Sequence, residues 1–85
     1  MPRNNFENQL DPDSVSAERM PFTKTPEYLI YYEDATGESH RFYLGQKNND
    51  KEFAERVAAC IARKRPSVAE LQEMNLARLE RFCED

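Results

Sequence analysis

The stretch YLIYYEDATGESHRFYL, residues 28–44, limits what this chain can become more than any other segment. β-Branched and aromatic residues are dense over residues 27–33, between Pro26 and Asp34, and again over residues 39–44, so both halves predict strands. The intervening DATG suits a type I turn followed by Gly37 in the left-handed conformation, which pairs Asp34 with Glu38. That register sets Tyr28, Ile30 and Tyr32 against Leu44, Phe42 and His40 on one face. Leu29, Tyr31 and Glu33 then stand against Tyr43, Arg41 and Ser39 on the other. A slip of one residue would bring Ile30 opposite Arg41 and mix the faces, so the even register is preferred. Both faces carry apolar or aromatic side chains, and each calls for a cover.

The rest of the chain must supply it. With 85 residues there is one domain at most, and a chain this short buries only about 60–65% of the surface its unfolded form exposes. After the loop GQKNND, Asn49 followed by Glu52 resembles a capping box that opens a helix reaching about Lys64. Phe53, Val57, Cys60 and Ile61 fall within roughly 100° on the helical wheel, widened by Ala54 and Ala58, while Glu55, Arg56 and Arg63 face away. Arg65 and Pro66 end this helix, because proline disfavours helical geometry in the residue before it. Ser67 with Glu70 forms a second capping box, predicting a last helix to about Cys83. Val68, Leu71, Leu79 and Phe82 share its face, Leu76 and Cys83 broaden one edge, and Met74 stands off the other. Asn75 falls near the centre of that stripe and Gln72 also lies on it, so the apolar arc is wider than one neighbouring helix requires.

Residues 1–26 read as a polar N-terminal arm whose apolar residues (Met1, Phe6, Leu10, Val15, Met20, Phe22) have no period, predicting mostly extended or mobile chain. DPDSVSAERM is the exception: Asp11 suits a cap and Pro12 the first helical position, so a short helix is expected over 12–19 before Pro21 stops it. The fold class is α+β in the order (α)ββαα, with the arm preceding a small ββαα domain at 27–85 and helices packed on the hairpin. Two strands alone are marginal in water. A third strand is therefore expected from the arm near residues 20–24, or from a second chain at an exposed edge.

Chemistry-bearing residues are sparse. His40, the sole histidine, would need a nearby nucleophile or an orienting carboxylate to act as a base, and the register puts Tyr32 opposite it; a structural or edge role is expected. No HExxH, CxxC or Cys/His cluster predicts a metal site, and two glycines, Gly37 and Gly45, cannot build a phosphate-cradling loop, so neither metal nor cofactor is expected. If the last two helices fold back antiparallel around residues 65–67, Cys60 lies level with Gln72. Cys83 is then eleven residues further on, roughly 16 Å at the helical rise, too far for a disulfide. Buried free thiols are expected, with Cys83 able to bridge to another chain on oxidation. The longest apolar run, Tyr28–Tyr32, is far below the roughly 18–20 residues of a membrane span, and MPRNNFENQL lacks the apolar core of a secretory signal. A cytoplasmic, thiol-reducing location is the expectation.

Net charge −4 weighs against a general nucleic-acid binder, yet residues 51–65 carry +3 between segments 27–50 and 66–85 at −3 each. Arg56, Arg63, Lys64 and Arg65 therefore define an alternative nucleic-acid-binding reading, in which two helices joined by a short turn resemble a helix-turn-helix. Against it, Glu70 and Glu73 open the would-be reading helix, and cations in a helix's last turn already complement its dipole. The face carrying Leu29, Tyr31, Tyr43 and Arg41 has the residue types enriched at the energetic centres of protein interfaces, and the acidic tip residues Glu33, Asp34 and Glu38 adjoin it. Asn75 in an apolar stripe can specify pairing. These residues predict a non-enzymatic, acidic protein-binding protein, an inhibitor or adaptor, that occupies a surface of a larger protein or complex or pairs with a second copy of itself. Small acidic inhibitors of nucleic-acid machines, phage-encoded ones included, supply the functional analogy: carboxylates compete for a basic groove meant for phosphate.

Overall fold

A computed structural model describes residues 6–84, and the expectation for residues 1–5 falls outside them. Three antiparallel strands, β1 (Leu10–Arg19), β2 (Tyr28–Asp34) and β3 (Ser39–Tyr43), form one sheet in the order β1-β2-β3. Three helices follow, α1 (Lys51–Lys64), α2 (Val68–Glu73) and α3 (Leu76–Phe82), completing an α+β fold. The hairpin has the expected register, with Leu29 opposite Tyr43, Ile30 opposite Phe42, Tyr31 opposite Arg41 and Tyr32 opposite His40. The expected turn sets it: the Asp34 N–H donates to the Glu38 carbonyl, the Gly37 N–H to the Asp34 carbonyl, and Gly37 sits at φ 90°.

The third strand comes from the arm, ten residues earlier than expected, and the helix predicted over 12–19 does not form. Val15 and Ala17 pack toward the core while Ser16 and Glu18 alternate with them, so the segment carries strand period despite its helix-like opening. Its DPDS start makes a bulge instead. Between the pairs Asp11–Glu33 and Ser16–Tyr31, β1 carries Pro12, Asp13, Ser14 and Val15 while β2 carries only Tyr32. The Ser14 hydroxyl replaces the missing ladder partner, accepting from the Glu33 N–H at 2.7 Å and donating to the Asp11 carbonyl at 2.7 Å. Asp11 Oδ1 takes the Asp13 N–H at 3.0 Å, and Pro12, lacking an N–H, is tolerated because this is an edge strand.

The core lies on one face of the sheet. Ile30, Tyr32, Phe42 and Leu44 meet Phe53, Ala54, Val57, Ala58 and Ile61 of α1, Val68 and Leu71 of α2, and Leu79 of α3. α1 begins one residue later than expected, with Asp50 rather than Asn49 as its cap, accepting from the Phe53 N–H at 3.0 Å. Arg65 closes it in the left-handed conformation at φ 53°, ahead of Pro66. The Ser67–Glu70 capping box forms as expected.

The last helix is the second correction. It breaks at Met74, which is extended and 8% exposed, and Asn75 caps α3 by accepting the Arg78 N–H at 2.8 Å. Asn75 thus lies outside any helical stripe, and the arc that looked too wide belongs to two short helices. The break also overturns the free thiols: the 16 Å separation assumed one straight helix, whereas Cys60 and Cys83 form a disulfide with α-carbons 5.8 Å apart. Lys64 Nζ donates to the Phe82 carbonyl and Lys47 Nζ pairs with Glu80 at 2.9 Å, so α3 is tied to α1 and to the turn before it.

The β1–β2 connection holds the least expected backbone. Met20 N–H donates to the Glu27 carbonyl at 2.7 Å, and above that base Pro21 leads into Phe22 at φ 65° with a fully exposed ring. A left-handed conformation costs a side-chain-bearing residue roughly 1–2 kcal/mol, and this ring gains no burial in return.

Two stability changes follow. Replacing Cys83 by Ser removes a cross-link between residues 23 apart and should lower unfolding free energy by about 3 kcal/mol in denaturant titration; an unchanged midpoint would contradict the bond. Phe22→Gly should raise stability by up to ~1 kcal/mol, since glycine accepts positive φ but gives part of the gain back as unfolded-state entropy. A fall in melting temperature would show that the ring is packed.

Candidate protein-binding face

Because all three helices put their buried side chains on the core face, the opposite face of the sheet points away from them. Strand alternation and pairing place Asp11, Ser16 and Glu18 of β1, Leu29, Tyr31 and Glu33 of β2, and Ser39, Arg41 and Tyr43 of β3 together there. β1 extends the sheet beside β2.

The side chains make a fixed pattern. The Tyr31 hydroxyl donates to Glu33 Oε2. That bond raises the phenol's pKa first, with burial and the Glu33 and Glu18 charges adding and Arg41 opposing. The Arg41 guanidinium lies 5.8 Å from the Tyr31 ring centroid, within cation–π range. Tyr43 remains 61% exposed. Three carboxylates against one guanidinium make the face acidic as well as aromatic.

Not every predicted contact residue is available. Leu29 is 5% exposed, and Asp34 is 2% exposed, so neither presents itself to a partner. Glu38 is exposed in the turn, where its N–H donates to Asp34 Oδ1 at 3.2 Å. Asn75 belongs to the α3 cap, apart from the sheet. Tyr31, Glu33, Arg41 and Tyr43 are the predicted residues that converge. Phe22 was not singled out, although its loop leaves the sheet at the end where Leu29 opposes Tyr43; Pro21 gave a turn signal but nothing in the composition foretold the ring's exposure.

Asp34 organises the turn instead of decorating it. Its carboxylate accepts from the Thr36 N–H at 2.8 Å, the Thr36 hydroxyl, the Glu38 N–H and His40 Nε2 at 3.0 Å. The hydrogen bond from His40, then those from Thr36, hold its pKa at about 2 against an ordinary 3.8, with burial opposing. His40 stacks on Tyr32 with centroids 5.3 Å apart, and its Nδ1 faces Gln72 Nε2 at 3.4 Å. The orienting carboxylate thought to be missing is therefore present. Each ring nitrogen of His40 thus faces one side-chain partner, Nε2 the Asp34 carboxylate and Nδ1 the Gln72 amide. Among the described residues no group of three or more His, Cys, Asp or Glu side chains is arranged to hold a metal.

The basic residues of the alternative reading lie on α1 and at its end. Arg56 lies 5.9 Å from the Phe53 ring and Arg63 is exposed on α1. Lys64 is committed to the Phe82 carbonyl and lies 5.0 Å from the Phe82 ring, and Arg65 forms the left-handed helix end. α2, the would-be reading helix, has six residues. No helix among the described residues is long and apolar enough to cross a membrane. Compared with models of known families, with curated proteins and with solved structures, the chain has no match.

The Asp34 carboxyl binds protons more weakly folded than unfolded, so its contribution to stability is complete above the ordinary 3.8 and is lost as pH falls toward about 2. Asp34→Asn should be less stable than wild type at neutral pH and flatter across that acid window. Identical acid dependence of the two melting temperatures would contradict the assignment.

Proposed function

We propose that this is a non-enzymatic binding protein, an inhibitor or adaptor, that docks the outer face of its sheet on a basic surface of a larger protein or complex. The observation that carries the reading is one face combining an exposed Tyr43 ring, a Tyr31–Arg41 stack and the carboxylates of Asp11, Glu18 and Glu33, with every helix on the other side. A basic groove built for nucleic-acid phosphate fits this chemistry. Incoming Lys or Arg side chains would pair with Glu18 and seat on the Tyr43 ring, and occupancy of the groove would exclude its polyanion.

Magnitudes divide the work. Exposed ion pairs contribute roughly 0–1 kcal/mol each, whereas a buried aromatic anchor contributes about 2 kcal/mol or more. Affinity should therefore come from Tyr43, with the carboxylates setting association rate and specificity. The rival nucleic-acid reading, through Arg56, Arg63, Lys64 and Arg65, is weakened by the prior engagement of Lys64 with the Phe82 carbonyl.

The test is a comparison of variants against the captured partner. Tyr43→Ala should weaken binding at least tenfold, mainly through faster dissociation, while Glu18→Gln should slow association and reduce its salt dependence. Arg56→Glu with Arg63→Glu should leave binding intact. Loss on the arginine substitutions with Tyr43→Ala silent, or salt-sensitive binding to a labelled duplex by the wild type, would overturn the proposal.

A further inference from the structure

The two edges of the sheet are unlike. β1 is defended as edge strands usually are: Pro12 removes a donor, the bulge curls the strand, and Ser14 turns inward to serve Glu33. β3 has none of these devices. It contains no proline, and its pairing with β2 runs without a shift. Because the Asp34 N–H donates to the Glu38 carbonyl, the hydrogen-bonded pairs of the hairpin continue at Tyr32–His40 and Ile30–Phe42. The N–H and C=O groups of Ser39, Arg41 and Tyr43 consequently point away from β2, and all three residues are exposed. Among the described residues no strand takes these groups.

At this edge the helix layer is represented by α2, whose Gln72 faces His40. α1 packs against β1 and β2, and a groove of about 340 Å³ runs beside β3, lined by Phe42, Leu71, Gln72 and Met74 among others. An added strand would find backbone partners along the edge and a groove of mixed polar and apolar lining beneath it.

We propose that the strand is β3 of a second copy: two chains align antiparallel about Phe42, joining two three-stranded sheets into one. Self-complementarity selects this occupant. A two-fold axis at Arg41 would set guanidinium against guanidinium, a destabilising pair. Moving the axis to Phe42 places each Arg41 opposite Tyr43 of the other copy, and those pairs exchange both N–H and C=O bonds. Each guanidinium, already 5.8 Å from its own Tyr31 ring, gains a second ring, and Tyr43 loses its exposure. The two Phe42 residues form the central pair without hydrogen bonds, where side chains approach most closely; they lie over the grooves that contain Leu71 and Met74. The contact is isologous and closes on itself. Adding β3 to β1 of another copy would instead build an open chain, and Pro12 with its bulge opposes it.

So short a strand pair buries less than the roughly 1,200 Å² of stable specific interfaces, so the dimer should be weak, with micromolar dissociation. It does not depend on the partner described above, and the experiment uses the chain alone. In sedimentation equilibrium the apparent mass should climb from 10.0 kDa toward twice that value as concentration rises through the micromolar range. Arg41→Pro removes the guanidinium and the outward N–H and should stay monomeric, while Arg41→Ala, which removes the guanidinium but keeps that N–H, should still dimerise. Should the proline variant misfold, hydrogen exchange of the wild type gives the same answer: amides of Arg41 and Tyr43 should slow with concentration. A wild type that stays at 10.0 kDa, a proline variant that dimerises like wild type, an alanine variant as monomeric as the proline one, or protection falling on β1 amides would each overturn the proposal.

Discussion

The fold turns on the carboxylate of Asp34. By gathering the Thr36 and Glu38 amides and the His40 ring it fixes the turn, and the turn fixes which residues of β2 and β3 share a face. A slip of one position would mix those faces, because side chains alternate along a strand. Ile30 would then stand opposite Arg41, so that either an apolar side chain turns toward solvent or a guanidinium turns into the helices. A buried charge is costly unless well partnered, and Asp34 is satisfied by bonds that exist in only one register. The same carboxylate reaches beyond the hairpin, since His40 contacts Gln72 of α2 and thereby relates the turn to the helix layer.

The hairpin was legible because its signals are local and agree: a left-handed glycine at a defined offset from Asp34, and two faces that stay distinct in only one register. α1 was legible for the same reason, its apolar positions repeating at helical spacing and all becoming buried. β1 was not, because Asp11 and Pro12 serve helix starts and strand bulges equally well. Only the neighbouring β2, with its Glu33 amide needing an acceptor, decides between them. The last helix failed at Met74 and Asn75. An asparagine in mid-stripe reads as a polar interruption or as a cap, and packing of Met74 against the core selects the cap. The disulfide then escaped prediction entirely, since its distance follows from the break.

The candidate face was legible in its composition and partly wrong in its membership. Tyr31, Arg41 and Tyr43 follow from register alone. Leu29 was expected at the surface from strand alternation and Asp34 from its place at the hairpin tip, yet burial depends on what neighbours do. Phe22 shows the converse: no periodicity marks it, and only its backbone conformation and bare ring draw notice. Disulfide formation also sits uneasily with a reducing location, because such bonds persist where thiols are oxidised.

What unites these observations is an asymmetry. One side of the sheet receives α1, α2 and α3 and the Tyr32–His40–Asp34 network, and the other keeps an exposed Tyr43 ring and three carboxylates at the surface. The most direct measurement of that claim is a footprint on the partner-bound protein, read residue by residue from amide shifts of nitrogen-labelled chain. The account requires the changes to cluster at Ser16, Glu18, Tyr31, Arg41 and Tyr43. Changes centred on Arg56, Arg63 and Arg65, with the sheet silent, would contradict it.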